Sequence, residues 1–165
     1  MRILVLSDSH ASRSFMRYAI ARIKPNALVH LGDYYDDADG LADENAGVVL
    51  HQVPGNCDRF RVSETLPRVL CYTFDGVRVF MTHGHLHKVK QGTGALLSDA
   101  RRAGAQAVLY GHTHIPDCHC EADGLWVLNP GTCGSYGGTV GLLETENGKI
   151  KTCRIIGQAE LEETV

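Results

Sequence analysis

The sequence predicts an α/β protein, and three observations support this. Five short aliphatic runs, each bounded by Gly, Pro or Asp, are typical of buried strands. Apolar residues at helical spacing lie between some of these runs, as in βαβ units. The distal part of the chain has strand-like segments joined by short turns.

The chain opens with a predicted βαβ unit. Its strands cover Ile3–Leu6 and Ala27–Leu31, and its helix covers Phe15–Ile23. Ser12 or Ser14 is the expected N-cap, and a proline shortly after the last apolar residue ends the helix. These elements place two parallel strands side by side at the start of the chain.

Three more strands and one helix follow. The strands are predicted at Val48–Val53, Val77–Met81 and Ala107–Tyr110. The helix is predicted at Gln91–Ala103, where apolar residues form one stripe and Gly104 ends the pattern.

Hairpins are predicted in the middle and distal parts of the chain. The paired strands are Val69–Phe74, Val77–Thr82, Asp117–Ala122, Leu125–Asn129, Thr139–Thr145 and Lys149–Ile156. Asp75-Gly76, Asp123-Gly124 and Asn147-Gly148 separate them, and Asp-Gly and Asn-Gly are typical of type I′ turns.

Five short polar clusters hold most of the residues able to do chemistry. They are Asp8-Ser9-His10, Gly32-Asp33, Gly55-Asn56-Cys57-Asp58, His83-Gly84-His85 and Gly111-His112-Thr113-His114. Each one alone has an ordinary explanation, because an Asp after a strand often caps a helix and an Asn after Gly often forms a turn. Since α/β sheets bind ligands at the carboxyl ends of their strands, we expect the clusters to meet at one edge of a single sheet.

The residue types in these clusters indicate a metal centre. Carboxylate, imidazole and amide oxygen suit Mn, Fe, Zn, Ni or Co, and the set is too rich in nitrogen to favour Ca. Seven such residues exceed what one tetrahedral ion needs. They suit two ions about 3.5–4 Å apart that share a carboxylate, an arrangement that hydrolyses phosphate esters.

The order and spacing of the clusters resemble the motif set of the calcineurin-like metallophosphoesterases. Asp-x-His, Gly-Asp, Gly-Asn-x-Asp, His-Gly and Gly-His-x-His follow one another from Asp8 to His114. The short length and Asn129-Pro130-Gly131-Thr132 are most similar to the small bacterial and archaeal phosphodiesterase branch. The resemblance implies a four-layer αββα sandwich of two facing mixed β-sheets.

The resemblance also implies two ligand sets that share Asp33. The first set is Asp8, His10, Asp33 and His114, and the second is Asp33, Asn56, His83 and His112. Catalytic roles fall to Asp33, Asn56 and His83, and the cofactors would be two divalent transition-metal ions, with Mn expected and Zn, Fe, Ni or Co as alternatives. The implied reaction is in-line attack on phosphorus by a hydroxide that bridges the ions.

One position departs from the family pattern. Many members have His where this chain has Cys57, and a neutral thiol is a poor acid for the leaving group. We interpret Cys57 as a small buried filler in preference to a catalytic group, and His85 or His87 as the alternative acid. Asp58 is expected to orient a ligand.

Substrate contacts are predicted at Cys57, Asp58, Arg59 and His85. The glycine-rich loop Asn129–Gly138 is interpreted first as a plain turn between strands. Contact of its Thr132, Ser135 or Tyr136 hydroxyls with a phosphate is the alternative.

Length and composition indicate one globular domain. The 165 residues carry a formal net charge of −3 and no Lys/Arg run. We predict a single domain at residues 1–157 and an acidic tail at 158–165. A small phosphodiester or nucleotide is the expected partner, without a nucleic-acid polymer or a membrane, and the expected location is cytoplasmic. Most of the six cysteines are expected to stay reduced.

Three functions are compatible with these features. A dinuclear phosphodiesterase is the leading one, because all seven ligand positions are filled. A non-catalytic scaffold of the same fold, as in the retromer subunit that the chain also resembles, would be favoured by lost ligands. A phosphomonoesterase is the third.

Overall fold

Two mixed five-stranded sheets face each other in the computed structural model, which describes residues 1–134 and 138–163. In the first sheet the strand order is β10-β9-β1-β2-β3, and in the second it is β4-β5-β6-β8-β7. The α/β class and the sandwich of two sheets are confirmed.

The first sheet contains the first and the last strand of the chain. Its strands are β1 (Arg2–Leu6), β2 (Ala27–His30), β3 (Val49–Gln52), β9 (Thr139–Glu146) and β10 (Lys149–Gly157). β1, β2 and β3 are parallel, whereas β9 runs antiparallel to β1 and to β10. The predicted βαβ unit is confirmed, with helix α1 at Arg13–Ile23.

The second sheet is built from the middle of the chain. Its strands are β4 (Val69–Phe74), β5 (Val77–Thr82), β6 (Ala107–Leu109), β7 (Asp117–Cys120) and β8 (Trp126–Asn129), and helix α2 covers Gly94–Arg102. β5, β6 and β8 are parallel, and β4 and β7 pair antiparallel at the two edges.

Alternation along the strands sorts side chains into three cores. Ile3 and Val5 of β1 pack between the sheets with Val79 of β5, whereas Leu4 packs on the outer face with α1. Phe80 of β5 points outward to the core formed with α2. Because successive residues of a strand face opposite sides, both sheets are apolar on both faces and need a helical layer outside.

Two local predictions are wrong at their boundaries. Helix α2 begins at Gly94, not at Gln91, because Gly92 has a φ of 138° that no helix tolerates, and a short 3₁₀ turn covers Val89–Gln91. Asp75-Gly76 and Asn147-Gly148 have the positive φ angles of type I′ turns, but at Asp123-Gly124 only Gly124 does. There the Gly124 amide donates to Glu121 O at 2.9 Å, so the turn begins two residues before Asp123.

The acidic tail begins with a short helix, α3 (Gln158–Glu163), which packs on α1. Leu161 is buried, and Arg22 donates to its carbonyl oxygen at 2.8 Å and to that of Glu162 at 3.0 Å. Cationic side chains are stabilised near the carboxyl end of a helix, so these contacts hold the last turn of α3 in place. Within residues 1–134 and 138–163, no helix has the length and apolar character needed to cross a membrane.

Candidate metal centre

The predicted ligands lie just beyond the carboxyl ends of five strands, but those strands belong to two sheets. β1, β2 and β3 of the first sheet lead to Asp8, Asp33 and Asn56, while β5 and β6 of the second lead to His83 and His112. The prediction of a single sheet edge is therefore wrong. The parallel strands of the two sheets instead end at a shared crevice.

Five of the predicted ligands have left-handed backbone conformations. They are Asp8, His10, Asp33, His112 and His114, with φ angles from 44° to 68°. Residues with a Cβ adopt this region at a cost of about 1 kcal/mol or more, and such strain concentrates at functional sites. The sharp turns bring side chains from separate strands towards one point.

Asp8, His10, Asp33 and His114 form a group of four donors. Their ligand atoms lie within 4.8 Å of one another. His114 Nε2 is 3.0 Å from Asp8 Oδ1 and 3.5 Å from His10 Nε2. Asp8 Oδ1 is buried and makes no hydrogen bond in the described residues, so a carboxylate oxygen is left with a free lone pair. A divalent cation fits this donor set.

The other oxygen of Asp8 is held by the surrounding structure. Ser7 Oγ donates to Asp8 Oδ2 at 2.6 Å, and the His112 backbone amide donates to it at 3.0 Å. These bonds orient the carboxylate and tie the loop after β6 to the end of β1. Such bonds orient metal ligands and raise affinity.

His83 and Asn56 lie on the other side of Asp33. His83 Nδ1 lies 2.7 Å from Leu31 O, a carbonyl that can only accept, so Nδ1 carries the proton. Nε2, the other ring nitrogen, faces Asn56 Oδ1 at 3.1 Å and Asp33 Oδ1 at 3.5 Å. An imidazole nitrogen beside an amide oxygen and a carboxylate oxygen is a donor set that suits a divalent transition-metal ion.

His112 completes this second group. Its ring centroid lies 5.0 Å from that of His83. Burial, assisted by the neighbouring His83, lowers the pKa of His112, which favours the neutral ring that binds metals. Burial opposes ionisation of Asp33, but His83 and the Cys57 amide outweigh it and lower its pKa, so Asp33 is available as a shared carboxylate.

Asp58 is a positioning residue and is fully buried. Its Oδ1 accepts the backbone amides of Tyr34 and Tyr35 at 2.8 and 2.9 Å, and its Oδ2 accepts that of Gly55 at 2.7 Å. The predicted substrate contact does not fit a carboxylate enclosed in this way. The predicted orienting role does, because Asp58 joins the loop bearing Asp33 to the loop bearing Asn56.

A second polar chain, which the sequence analysis missed, supports His10. The Ser9 hydroxyl donates to Asp37 Oδ2 at 2.7 Å, and the same oxygen accepts the Ala11 amide at 2.7 Å. His30 Nε2 lies 3.2 Å from Ser9 Oγ, and burial lowers the pKa of His30 to about 4, so the neutral ring donates to Ser9. These bonds hold the turn on both sides of His10.

Asn129 and Thr132 brace the loop of His112 and His114. Asn129 Nδ2 donates to Thr113 Oγ1 at 2.9 Å and to Gly111 O at 3.2 Å, and Thr132 Oγ1 donates to Asp8 O at 2.7 Å. The Thr132 hydroxyl is therefore engaged with the backbone. Ser135 and Tyr136, the other hydroxyls predicted to meet a phosphate, lie outside the described residues.

Three glycines allow the loops to approach so closely. A Cβ on Gly55 would lie 2.1 Å from Asp33 Oδ1, and one on Gly111 would lie 1.9 Å from Ser7 Oγ. One on Gly32 would lie 2.3 Å from Gly55 N. The site geometry depends on backbone packing that only glycine permits.

We expect Gly55→Ala to displace the Asp33 carboxylate and to lower phosphoesterase turnover by at least about 10²-fold, because misplacement by about 1 Å has that effect. Gly157→Ala is the matched control, since a Cβ there meets no described residue within 4 Å. Turnover with added manganese checks both variants. Equal rates for the two variants would show that the close approach is not needed.

Cys57 is exposed, so its interpretation as a buried filler is wrong. Desolvation of the thiol and the adjacent Asp33 raise the pKa of Cys57 to about 11 in the metal-free site. A thiol held neutral in this way is a weak general acid.

We therefore expect Cys57→Ala to lower kcat less than about tenfold, well below the ~10²–10⁴-fold that a general acid contributes. Steady-state hydrolysis of an alkyl phosphodiester checks this, because an alkoxide leaving group needs a proton. A drop beyond a hundredfold with an intact fold would assign the thiol a catalytic role.

Arg59 and His85 line an open cleft of about 450 Å³ that also borders Asn56. Burial, followed by the neighbouring His83 and His112, lowers the pKa of His85 to about 4. Arg68 lines the same cleft and was missed, because nothing near it in the sequence resembles a motif. His87 instead lies 3.3 Å from Asp99 of α2.

Known proteins share both sequence and fold with this chain. Residues 1–148 match the model of the calcineurin-like phosphoesterase superfamily domain. The chain is 29% identical over 134 residues to "Probable metallophosphoesterase YsnB" of Bacillus subtilis, covering 80% of this chain and 75% of that protein. It is 30% identical over 135 residues to a "Probable metallophosphoesterase" of Mycoplasma pneumoniae, covering 79% of this chain and 78% of that one.

Solved structures show the same fold. A conserved uncharacterized protein of Streptococcus pneumoniae superposes with a TM-score of 0.72 at 22% identity, over 95% of this chain and 97% of that chain. Vps29 of Entamoeba histolytica, complexed with Zn²⁺, superposes with a TM-score of 0.67 at 20% identity, over 95% and 99%. The match to residues 1–148, together with the two bacterial relatives, shows that the chain belongs to the calcineurin-like phosphoesterase superfamily.

Proposed function

We propose that this protein is a phosphodiesterase that uses two divalent metal ions and acts on small phosphodiesters or nucleotides. The observation that carries the proposal is the pair of donor groups on either side of Asp33. One contains Asp8, His10 and His114 within 4.8 Å, and the other contains Asn56 and His83 in contact. The names of the bacterial relatives support a phosphoesterase, and the complete donor set supports an active one.

Two metal ions, when bound, supply an activated water and charge stabilisation on the attacking and leaving oxygens. The protein holds the donors in place for this. Asp33 stands between the groups, its Oδ1 fixed by the Cys57 amide at 2.8 Å. His83 is fixed through Leu31 O, so the same nitrogen always faces the site. Preorganised groups need no rearrangement during the reaction.

The open cleft beside Asn56 favours a diester over a monoester, because the second ester arm needs room next to the reacting phosphate. Manganese is the proposed cofactor, since mixed carboxylate, imidazole and amide donors suit it, and zinc is the main alternative. We also propose that the protein acts in the cytoplasm and that its substrate is a small molecule and not a nucleic-acid polymer.

A scaffold role is the second candidate, and the fold shared with Vps29 favours it. The two candidates differ in metal-dependent turnover. We expect chelator-treated protein to be inactive on bis(p-nitrophenyl) phosphate and to regain turnover with Mn²⁺. The Mn²⁺-loaded protein should release p-nitrophenol more slowly from the monoester p-nitrophenyl phosphate. No turnover with any transition ion would favour the scaffold, and faster monoester hydrolysis would make the protein a phosphomonoesterase.

A further inference from the structure

The cleft beside the metal centre carries more positive charge than a single phosphodiester needs. Arg59 and Arg68 line it together with Asn56 and His85, and Glu64 is the one acidic residue among the described residues of its lining. The metal ions proposed above already meet the charge of the reacting phosphate. Two arginines against one glutamate leave a net positive charge for another anion.

Neither guanidinium has an acidic partner in the part of the chain that the structure describes. Arg17 and Arg101 pair with carboxylates on the surface, whereas the Arg59 guanidinium lies 5.4 Å from the centroid of the Phe60 ring. Arg68 is half-buried, and its side chain makes no hydrogen bond with residues 1–134 or 138–163. His85 Nδ1 is also buried and has no hydrogen-bond partner among the residues that the structure describes. Half-buried polar groups without partners indicate a ligand that supplies acceptors.

Apolar surface accompanies these groups. Leu86 lines the cleft and is 60% exposed, and Phe60, next to Arg59, is 93% exposed. Exposed aromatic and aliphatic side chains offer a surface for a sugar or a base. The cleft therefore combines a contact for an organic group with two cations.

We propose that this cleft binds a second phosphate on one arm of the diester, and that the preferred substrates are phosphodiesters of nucleoside bisphosphates. This inference rests on the proposed function and adds its substrate class. The reacting phosphate lies at the metal donors, the nucleoside lies against Leu86 and Phe60, and the second phosphate pairs with Arg59 and Arg68. Arg68 is then a specificity-determining residue.

Two chromogenic esters that differ by one phosphate test this. Thymidine 5′-(p-nitrophenyl phosphate) has no second phosphate, and its 3′-phosphorylated form does. For the Mn²⁺-loaded protein we expect kcat/KM to be about tenfold or more higher for the 3′-phosphorylated ester, the scale of a charge-assisted contact. Arg68→Ala should remove most of this preference for the 3′-phosphorylated ester, and Arg59→Ala should remove part of it. Arg68→Lys should remove less of it than Arg68→Ala does.

Arg2→Ala is the matched control, because Arg2 lies at the opposite end of β1 from the ligands and should leave the ratio unchanged. Equal kcat/KM for the two esters in the unmodified protein would overturn the inference and leave the phosphodiesterase intact. Failure to hydrolyse either ester would overturn the proposed function itself. Thermal unfolding confirms that each variant is folded.

A separate pair of cysteines carries a second inference. Cys118 of β7 and Cys153 of β10 belong to different sheets, and their sulfur atoms are 3.5 Å apart. Both are half-buried against the core between the sheets. A disulfide needs the sulfurs at about 2.0 Å, so a small movement of two edge strands would join them.

We infer that Cys118 and Cys153 form a site of thiol oxidation that links the two sheets. With glutathione disulfide as oxidant, the Cys118 thiolate attacks one sulfur and one glutathione thiolate leaves. Cys153 then attacks the mixed disulfide and releases the second glutathione. The two thiol protons of the protein end on the two glutathione molecules. The hydrogen bond with Cys153 lowers the pKa of Cys118, which suits its role as the first nucleophile.

Native protein treated with glutathione disulfide tests this by mass spectrometry. We expect a mass lower by two hydrogen atoms, a crosslinked peptide containing both cysteines, and a higher Tm. Cys153→Ser should instead retain a glutathione adduct on Cys118, while Cys71→Ser should behave as the unmodified protein. A stable adduct on Cys118 or Cys153 of the unmodified protein, or free thiols at both positions, would overturn the inference.

Discussion

Asp33→Asn is expected to abolish metal-dependent hydrolysis of bis(p-nitrophenyl) phosphate. Asp33 stands between the two donor groups, with Oδ1 3.5 Å from His83 Nε2 and one carboxylate oxygen within 4.8 Å of the donors of Asp8, His10 and His114. An amide has one oxygen and no charge, so it cannot serve both groups. We expect a loss larger than the about 10–100-fold that removal of an outer-shell partner causes.

Asp36→Asn is the matched control, because Asp36 lies on the same loop but is exposed. Its turnover should equal that of the unmodified protein under the same manganese concentration. Retention of more than a tenth of the activity by Asp33→Asn, with its fold intact, would show that Asp33 is not the shared ligand.

Asp58→Ala is expected to lower the free energy of unfolding by about 3 kcal/mol or more. The buried carboxylate accepts three backbone amides, and each unsatisfied buried donor costs about 1–3 kcal/mol. The loops bearing Asp33 and Asn56 would also separate, so turnover should fall with stability. Urea unfolding and the rate on the same diester measure both effects.

Asp36→Ala again provides the comparison, and it should change the unfolding free energy by about 0.5 kcal/mol or less. A loss at Asp58 no larger than at Asp36 would mean that the three amides find other acceptors. Loss of turnover with unchanged stability would instead favour the direct substrate contact that the sequence suggested.

Local patterns explain which parts of the fold could be predicted. β1 alternates between two apolar faces and is bounded by polar residues, so its position can be read from the sequence. Asn147-Gly148 forms its turn through its own backbone preferences. The start of α2 could not be read in the same way, because the φ of Gly92 is set by its surroundings. The division of strands between two sheets is decided by tertiary packing and came only through the family resemblance.

The site shows the same limit. Its seven expected ligands stand in short motifs after strands, where residue type and position together indicate a metal centre. The groups that hold these ligands in place do not lie in such motifs. Asp37 and Ser9 meet only after β1 and β2 pair, and Asp58 reaches Tyr34 only because the two loops approach across Gly55. Arg68 enters the cleft from a segment without any motif.

Manganese titration of the metal-free protein, followed by electron paramagnetic resonance, tests the central claim most directly. The account predicts two Mn²⁺ per chain and a spin-coupled spectrum, because both donor groups share Asp33. In Asp33→Asn the coupling should disappear. A single ion per chain with an uncoupled spectrum at saturation would contradict the dinuclear centre.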